Sequence, residues 1–172
     1  MSSLSGVSLV LGGTRSGKSE RAEELADAAS GGGPVTYVAT AAASDPASPD
    51  AAWSERIERH RRRRPAGWST VESGTDLIGV LRRAEGVVLI DSLGTWVSAH
   101  RDFVVDTEGL LIALGERKAA SIVVAEEVGM SLHAPTELGR AFVDAMGLLN
   151  REVASMAERV ELVVAGRVLR LP

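Results

Sequence analysis

A glycine-rich segment near the start of the chain has the residue types and spacing of a phosphate-binding loop. Residues 12–19 match the pattern G-x-x-x-x-G-K-[ST] at every fixed position. In such a loop the backbone N–H groups surround phosphate oxygens, Lys18 reaches the β- and γ-phosphates, and the Ser19 hydroxyl binds Mg²⁺. We therefore predict that this loop binds a nucleoside triphosphate. The predicted binding residues are Gly12, Gly13, Thr14, Arg15, Ser16, Gly17, Lys18 and Ser19.

The flanking segments supply the strand and the helix that must position this loop. Residues 7–11 are mostly apolar and predict a buried strand, while residues 19–29 carry alanine and leucine at helical spacing. A strand, a glycine loop and a helix in this order direct a helix N-terminus at the bound phosphates. The alternative is a chance glycine-rich turn, which would need neither a strand before it nor a helix after it.

Asp91 is the second candidate for the chemistry. It follows four apolar residues, 87–90, which read as a buried strand. An acidic residue at such a strand end, downstream of a phosphate loop, commonly supports the Mg²⁺ that the loop hydroxyl binds. The alternative is that Asp91 only caps the next helix, a role that Ser92 could also take. We predict a magnesium site formed by Ser19 and Asp91.

The third candidate is a basic segment, residues 56–65, on a helix predicted over residues 51–63. It contains His60 and the arginines at 61–64. Neighbouring positive charges disfavour a protonated imidazole, and a neutral imidazole is the nucleophilic form. The arginines could stabilise a phosphate under attack. The segment could equally be a solvated basic face or a nucleic-acid patch, and the residue types alone do not decide between these readings.

Strands alternate with helices along the chain, which predicts an α/β fold with a mostly parallel sheet covered on both faces. Further strands are expected at residues 35–40, 68–72 and 121–125, and further helices at 75–84, within 93–114, and in a long final segment. Residues 160–165 and 168–171 predict a C-terminal antiparallel pair that turns at Gly166-Arg167.

Composition sets limits on the function. The 172 residues are 45% hydrophobic, which suits a single domain over residues 1–172. The absence of cysteine excludes disulfides and thiolate chemistry and favours the cytoplasm. No apolar run reaches the ~20 residues that cross a bilayer, so no membrane span is expected. The net charge of −4 argues against a general nucleic-acid partner.

Several motifs, in order, closely resemble one enzyme family over almost the whole chain. They are the loop G-G-T-R-S-G-K-S, the strand end Y-V-A-T-A, the segment R-I-x-x-H-x-x-x-R-P-x-x-W-x-T-x-E, the E-V-G at residues 127–129, and R-x-x-x-D-x-x-G-x-x-N from residue 140 to 150. The chain resembles the bifunctional adenosylcobinamide kinase / adenosylcobinamide-phosphate guanylyltransferase family of cobalamin biosynthesis.

The resemblance implies two reactions in a RecA-like phosphate-loop domain that assembles as a homotrimer. ATP or GTP phosphorylates adenosylcobinamide, a corrinoid; GTP then transfers GMP through a covalent histidine intermediate to the phosphorylated corrinoid, with release of pyrophosphate. The resemblance assigns the covalent role to His60. The further residues that it places around the nucleotide are Ala39, Thr40, Ala41, Arg61, Arg62, Arg63, Arg64, Glu72 and Asp91.

The chain departs from the family at Glu126, where the family often has an asparagine before Glu-Val-Gly. Two other functions remain open. One is a phosphate-loop kinase of small molecules that transfers only the γ-phosphate and forms no covalent nucleotide. The other is a nucleotide-gated module whose arginine cluster binds nucleic acid, with an affinity that falls steeply with salt.

Overall fold

A computed structural model describes residues 6–41, 65, 67–130 and 134–172. These residues form one seven-stranded sheet in the order β3-β2-β4-β5-β1-β6-β7. The strands are β1 (Val7–Gly12), β2 (Val35–Ala39), β3 (Trp68–Glu72), β4 (Val87–Asp91), β5 (Ser121–Glu126), β6 (Arg159–Val164) and β7 (Arg167–Leu171). The helices are α1 (Lys18–Ser30), α2 (Leu77–Arg83), α3 (Leu93–Ser98), α4 (Thr107–Gly115) and α5 (Glu137–Met156), with a 3₁₀ turn at Arg101–Phe103.

Successive residues of the central strands point to opposite faces of the sheet, and both faces are covered. On one face Val10 packs with Ala22 and Leu25 of α1. On the other face Leu9 belongs to a larger core that includes Trp96 of α3. The short apolar strands are therefore buried on both sides, as the sequence predicted for a parallel sheet between helices.

Short side chains fix the starts of three helices. Asp76, Asp106 and Thr136 each accept a hydrogen bond from the backbone N–H three residues later. These N-caps satisfy donors that have no partner inside the helix. The Asp76 cap also explains why α2 begins at Leu77, two residues later than the apolar pattern suggested.

Most of the predicted elements are confirmed. All strand pairs among the described residues are parallel except β6 with β7. The hairpin turn, however, lies at Ala165-Gly166 and not at Gly166-Arg167, because Arg167 already pairs with Val164. Both turn residues have positive φ, 51° and 74°, as two-residue hairpin loops of the tightest type require.

Segment 93–114, the least regular part of the pattern, holds two helices with Arg101 and Asp102 between them, as predicted. Among the described residues no helix has the length and hydropathy needed to cross a bilayer.

Candidate functional site

The phosphate loop joins the buried end of β1 to the start of α1. Gly17 precedes the helix with a φ of 96°, a conformation that glycine adopts without steric cost. Gly12 is equally constrained, because a Cβ there would lie only 2.8 Å from the carbonyl oxygen of Val163. The turn between β6 and β7 supports the loop from outside, since the N–H of Gly166 donates to the carbonyl of Ser16 at 2.8 Å.

Lys18 is almost completely buried, with a side chain that is 4% exposed. Its Nζ donates to the carbonyl of Gly13 at 3.2 Å, so the side chain folds back over its own loop. The same Nζ lies 3.9 Å from Oε1 of Glu126. A cationic group in this position, at the N-terminal end of α1, is suited to bind anionic phosphate oxygens.

The strand register brings the candidate residues to one edge of the sheet. Gly12 of β1 is opposite Glu126 of β5. Asp91 of β4 is opposite Ala39 of β2, and Ala39 is opposite Glu72 of β3. Because these strands are parallel, their carboxyl ends form a single line beside the loop, which is where open α/β sheets bind ligands.

Asp91 does not cap the following helix. Its Oδ2 accepts a hydrogen bond from the Tyr37 hydroxyl at 2.7 Å, across the β2–β4 pair. The N-cap of α3 is Ser92, whose backbone N–H donates to the Thr95 hydroxyl at 3.2 Å. A buried tyrosine thus orients the Asp91 carboxylate at the sheet edge. Ser92, and not Asp91, is the N-cap of the following helix.

Thr40 lies directly after β2 and is fully buried. Its hydroxyl donates to the Ser92 carbonyl at 2.6 Å and accepts from the Ser92 N–H at 3.0 Å. Thr40 therefore holds the end of β2 against the start of α3, while Ala39 and Ala41 on either side are partly exposed. Glu72 is exposed at the end of β3.

The residues predicted to hold Mg²⁺ fit that ion by their chemistry. Ser19 and Asp91 supply a hydroxyl and a carboxylate oxygen, the hard ligands that Mg²⁺ prefers. The part of the chain that the structure describes contains no group of three or more His, Cys, Asp or Glu side chains that could enclose a metal. This donor set suits an ion that takes most of its ligands from water and nucleotide phosphates.

A partly buried ion pair lies one turn into α1, the helix that follows the loop. Arg21 donates through Nε to Oε2 of Glu161 on β6 at 2.7 Å. The hydrogen bond from Arg21 lowers the pKa of the Glu161 carboxyl, and Arg159 adds to the effect. The same hydrogen bond raises the pKa of the Arg21 guanidinium. Both groups stay charged, so the pair ties α1 to the sheet.

The predicted covalent residue, His60, and the arginine cluster Arg61, Arg62, Arg63 and Arg64 lie outside the described residues. So does the helix predicted over residues 51–63. Their relation to the phosphate loop stays a prediction.

Two side chains at the site were not predicted as functional. Tyr37 was read only as part of an apolar strand, because nothing in a single sequence indicates that its hydroxyl faces Asp91. Glu126 was noted only as a departure from the family that adds a charge, and its contact with Lys18 was not predicted.

Comparison with known proteins gives a consistent result. The family model described as cobinamide kinase / cobinamide phosphate guanyltransferase matches residues 8–171. A Pseudomonas aeruginosa protein named bifunctional adenosylcobalamin biosynthesis protein CobP is 39% identical, with 92% of each chain covered. The Salmonella typhimurium protein named bifunctional adenosylcobalamin biosynthesis protein CobU is 33% identical over 92% of this chain and 95% of that protein.

Solved structures similar to this one support the fold alone. The P4 protein of bacteriophage phi6, solved with ADP, aligns at a TM-score of 0.50 and 15% identity over 96% of this chain and 54% of that chain. The flagellar accessory protein FlaH of Methanocaldococcus jannaschii aligns at 0.51 and 12% identity over 95% of this chain and 74% of that chain. The similarity to both structures shows a shared fold, and the predicted RecA-like fold is confirmed.

Proposed function

The chain belongs to the cobinamide kinase / cobinamide phosphate guanyltransferase family, and we propose that it carries out both reactions of that name in adenosylcobalamin biosynthesis. It phosphorylates adenosylcobinamide with ATP or GTP, then transfers GMP from GTP to adenosylcobinamide phosphate. The products of the second reaction are adenosyl-GDP-cobinamide and pyrophosphate. The observation that carries the proposal is the intact phosphate loop, with Lys18 at the carboxyl edge of the sheet, in a chain that matches the family over almost its whole length.

In the kinase reaction the protein mainly positions donor and acceptor and stabilises charge. The acceptor hydroxyl of the corrinoid attacks the γ-phosphorus and releases its proton to water. The bond from that phosphorus to the β–γ bridging oxygen breaks, and the nucleoside diphosphate leaves. Lys18 and the loop N–H groups bind the β- and γ-phosphates, and Arg15 lies exposed on the loop, where it can add positive charge. Mg²⁺ held by Ser19 and Asp91 would neutralise phosphate charge.

In the transferase reaction His60 acts as the nucleophile. A neutral imidazole nitrogen attacks the α-phosphorus of GTP, an N–P bond forms, and the bond to the α–β bridging oxygen breaks with loss of pyrophosphate. A phosphate oxygen of the phosphorylated corrinoid then attacks the same phosphorus, and the N–P bond breaks. The covalent intermediate divides one difficult displacement into two. We assign Ala39, Thr40, Ala41, Glu72 and the arginines at 61–64 to the surroundings of the guanine nucleotide.

We further propose that the whole chain is one domain, that it assembles as a homotrimer, and that it acts in the cytoplasm on small molecules without a nucleic-acid partner. These properties follow from the resemblance and the composition. The trimer bears directly on the site, because a subunit boundary could supply part of the corrinoid pocket.

A stepwise product analysis tests the proposed function. With adenosylcobinamide, ATP and Mg²⁺ alone, the product is adenosylcobinamide phosphate. When GTP is then added, adenosyl-GDP-cobinamide and pyrophosphate appear in equal amounts. A chain that makes the phosphorylated corrinoid but never the GDP derivative would be a phosphate-loop kinase without nucleotidyl transfer.

A further inference from the structure

Glu126 ends β5 between the phosphate-loop strand and the Asp91 strand. Its Oε1 lies 3.9 Å from Nζ of Lys18, the distance of an ion pair. The carboxylate is 25% exposed, whereas the lysine side chain is 4% exposed. Among the described residues it is the acidic group paired with the lysine of the phosphate loop.

Two protein donors hold this carboxylate in place independently of the lysine. The Ser92 hydroxyl donates to Oε1 at 2.8 Å, and the Gly94 N–H donates to Oε2 at 2.9 Å. Only glycine permits this approach at position 94, because an added Cβ would overlap Oε2 of Glu126. The Glu126 backbone is fixed as well, since its carbonyl accepts from Asn150 Nδ2 at 3.0 Å. The negative charge therefore stays where it is when the lysine moves.

Lys18, in contrast, has no second anionic partner among the described residues. Its other partner is the neutral carbonyl of Gly13. A buried ammonium without an anionic partner carries a large desolvation cost, so the Glu126 carboxylate stabilises Lys18 when no nucleotide is bound. A nucleotide whose phosphates engage Lys18 must take the ammonium from this carboxylate and must also place its own negative charge nearby.

We propose that Glu126 competes with the β- and γ-phosphates for Lys18, and that it thereby weakens the binding of nucleoside di- and triphosphates and hastens the release of the diphosphate product. Glu126 is a positioning residue that acts through Lys18. The inference rests on the proposed function, because it assumes that the loop binds the polyphosphate of ATP or GTP.

The test is isothermal titration of the wild-type chain and of Glu126→Gln with GTP, GDP and GMP in the presence of Mg²⁺. Glutamine removes the charge and keeps one carbonyl oxygen that can accept from the Gly94 N–H, while its NH2 group can donate to the Ser92 hydroxyl. We expect Glu126→Gln to bind GTP and GDP about tenfold more tightly, equivalent to about 1.4 kcal/mol. The affinity for GMP stays unchanged, because GMP has no β- or γ-phosphate to reach Lys18. Release of a fluorescent GDP analogue slows in parallel.

The matched control is Glu116→Gln, an exposed residue at the C-terminus of α4 that changes the net charge by the same amount. It should leave all three affinities within about twofold of wild type, a size expected for a remote surface charge. If Glu126→Gln does not fold, Glu126→Asn removes the same charge with a shorter side chain and carries the same expectation.

Unchanged or weaker GDP binding in the uncharged variants, or an equal gain for GMP, would overturn the inference and leave the proposed function standing. A wild-type chain that binds neither GTP nor GDP would contradict the proposed function itself.

Discussion

Glu161 is a buried carboxylate surrounded by three guanidinium nitrogens. Its side chain is 3% exposed. It accepts from Arg21 at 2.7 and 3.1 Å and from Arg159 at 3.2 Å. Since Arg21 lies on α1 just after the phosphate loop, the charge of Glu161 links the loop helix to β6. Removing one member of such a buried network leaves the others uncompensated.

We predict that Glu161→Gln destabilises the fold in a pH-dependent manner. The pKa of Glu161 in the folded chain lies below its ordinary value of 4.5. The carboxylate therefore stabilises the fold fully above that value, and its contribution disappears as the pH falls through the lower, folded pKa. The difference in free energy of unfolding between wild type and variant should be largest near neutrality and shrink below about pH 4.5. Urea denaturation at a series of pH values measures it.

Glu24→Gln is the matched control, because Glu24 pairs with the same Arg21 from the exposed side, where its side chain is 67% exposed. An exposed pair contributes about 0–1 kcal/mol, so this variant should differ little from wild type at any pH. A Glu161→Gln deficit that stayed constant from neutral to acidic pH would contradict the ionic account of this contact.

The residues that a continuous motif defines could be predicted from sequence. Lys18 and Ser19 follow from the loop pattern, and Asp91 from its place after four apolar residues. The partners of these residues could not be predicted, because Tyr37 is far from Asp91 in the sequence and Glu126 is far from Lys18. Each pair meets only through the strand order. Local periodicity carries no information about such cross-strand contacts.

At the scale of elements, Arg117 joins the end of α2 to the strands that follow. It donates to the carbonyls of Leu81 and Ala84 at 2.9 and 2.7 Å, to that of Gly86, and to the Ser121 hydroxyl at 3.1 Å. Its partners are neutral, and burial lowers the pKa of its guanidinium. Arg117 thus satisfies carbonyls that α2 and the turn after it leave unpaired.

We predict that Arg117→Ala lowers the free energy of unfolding by about 2–3 kcal/mol, because several partly buried carbonyls lose their donor at once. Arg82→Ala is the control: Arg82 is exposed in the last turn of the same helix and should change stability by less than about 0.5 kcal/mol. Thermal or urea unfolding of the two variants decides the matter. Equal stabilities would show that water replaces the guanidinium without cost.

Element types were predictable and their ends less so. The starts of α2 and of the C-terminal hairpin strands differ from the pattern because Asp76 caps the helix and because Ala165 adopts a positive φ. An alanine in a two-residue hairpin loop gives no sequence signal, whereas the adjacent glycine does.

At the scale of the whole molecule, one continuous sheet carries every described candidate residue on its carboxyl edge. The alternation of strands and helices predicts a parallel sheet but not its order. The order depends on which distant strands pair, and buried apolar strands have interchangeable patterns. The line from Gly12 through Glu126 and Asp91 to Ala39 therefore emerged only from the structure.

We predict a homotrimer in solution. Light scattering coupled to size exclusion should give three times the chain mass of 18.0 kDa. The measured mass should stay the same when the protein is diluted through the micromolar range, because subunits that share a site must remain associated. A monomer mass at every concentration would contradict the proposed assembly and would confine the corrinoid pocket to one chain.

The central claim is that one chain makes a covalent guanylyl intermediate on His60. Incubation with Mg²⁺ and GTP labelled at the α-phosphate should leave label on the wild-type protein that is labile in acid and stable in base, as an N–P bond is. His60→Ala should take up none, yet retain phosphorylation of the corrinoid.

His100→Ala is the matched control for this labelling. Its Nδ1 lies 2.8 Å from the Trp96 carbonyl at the end of α3, and we assign it no part in the chemistry, so this variant should label like wild type. Label on His60→Ala equal to that on wild type would contradict the assigned nucleophile. A wild-type protein that acquires no label would contradict the covalent mechanism itself.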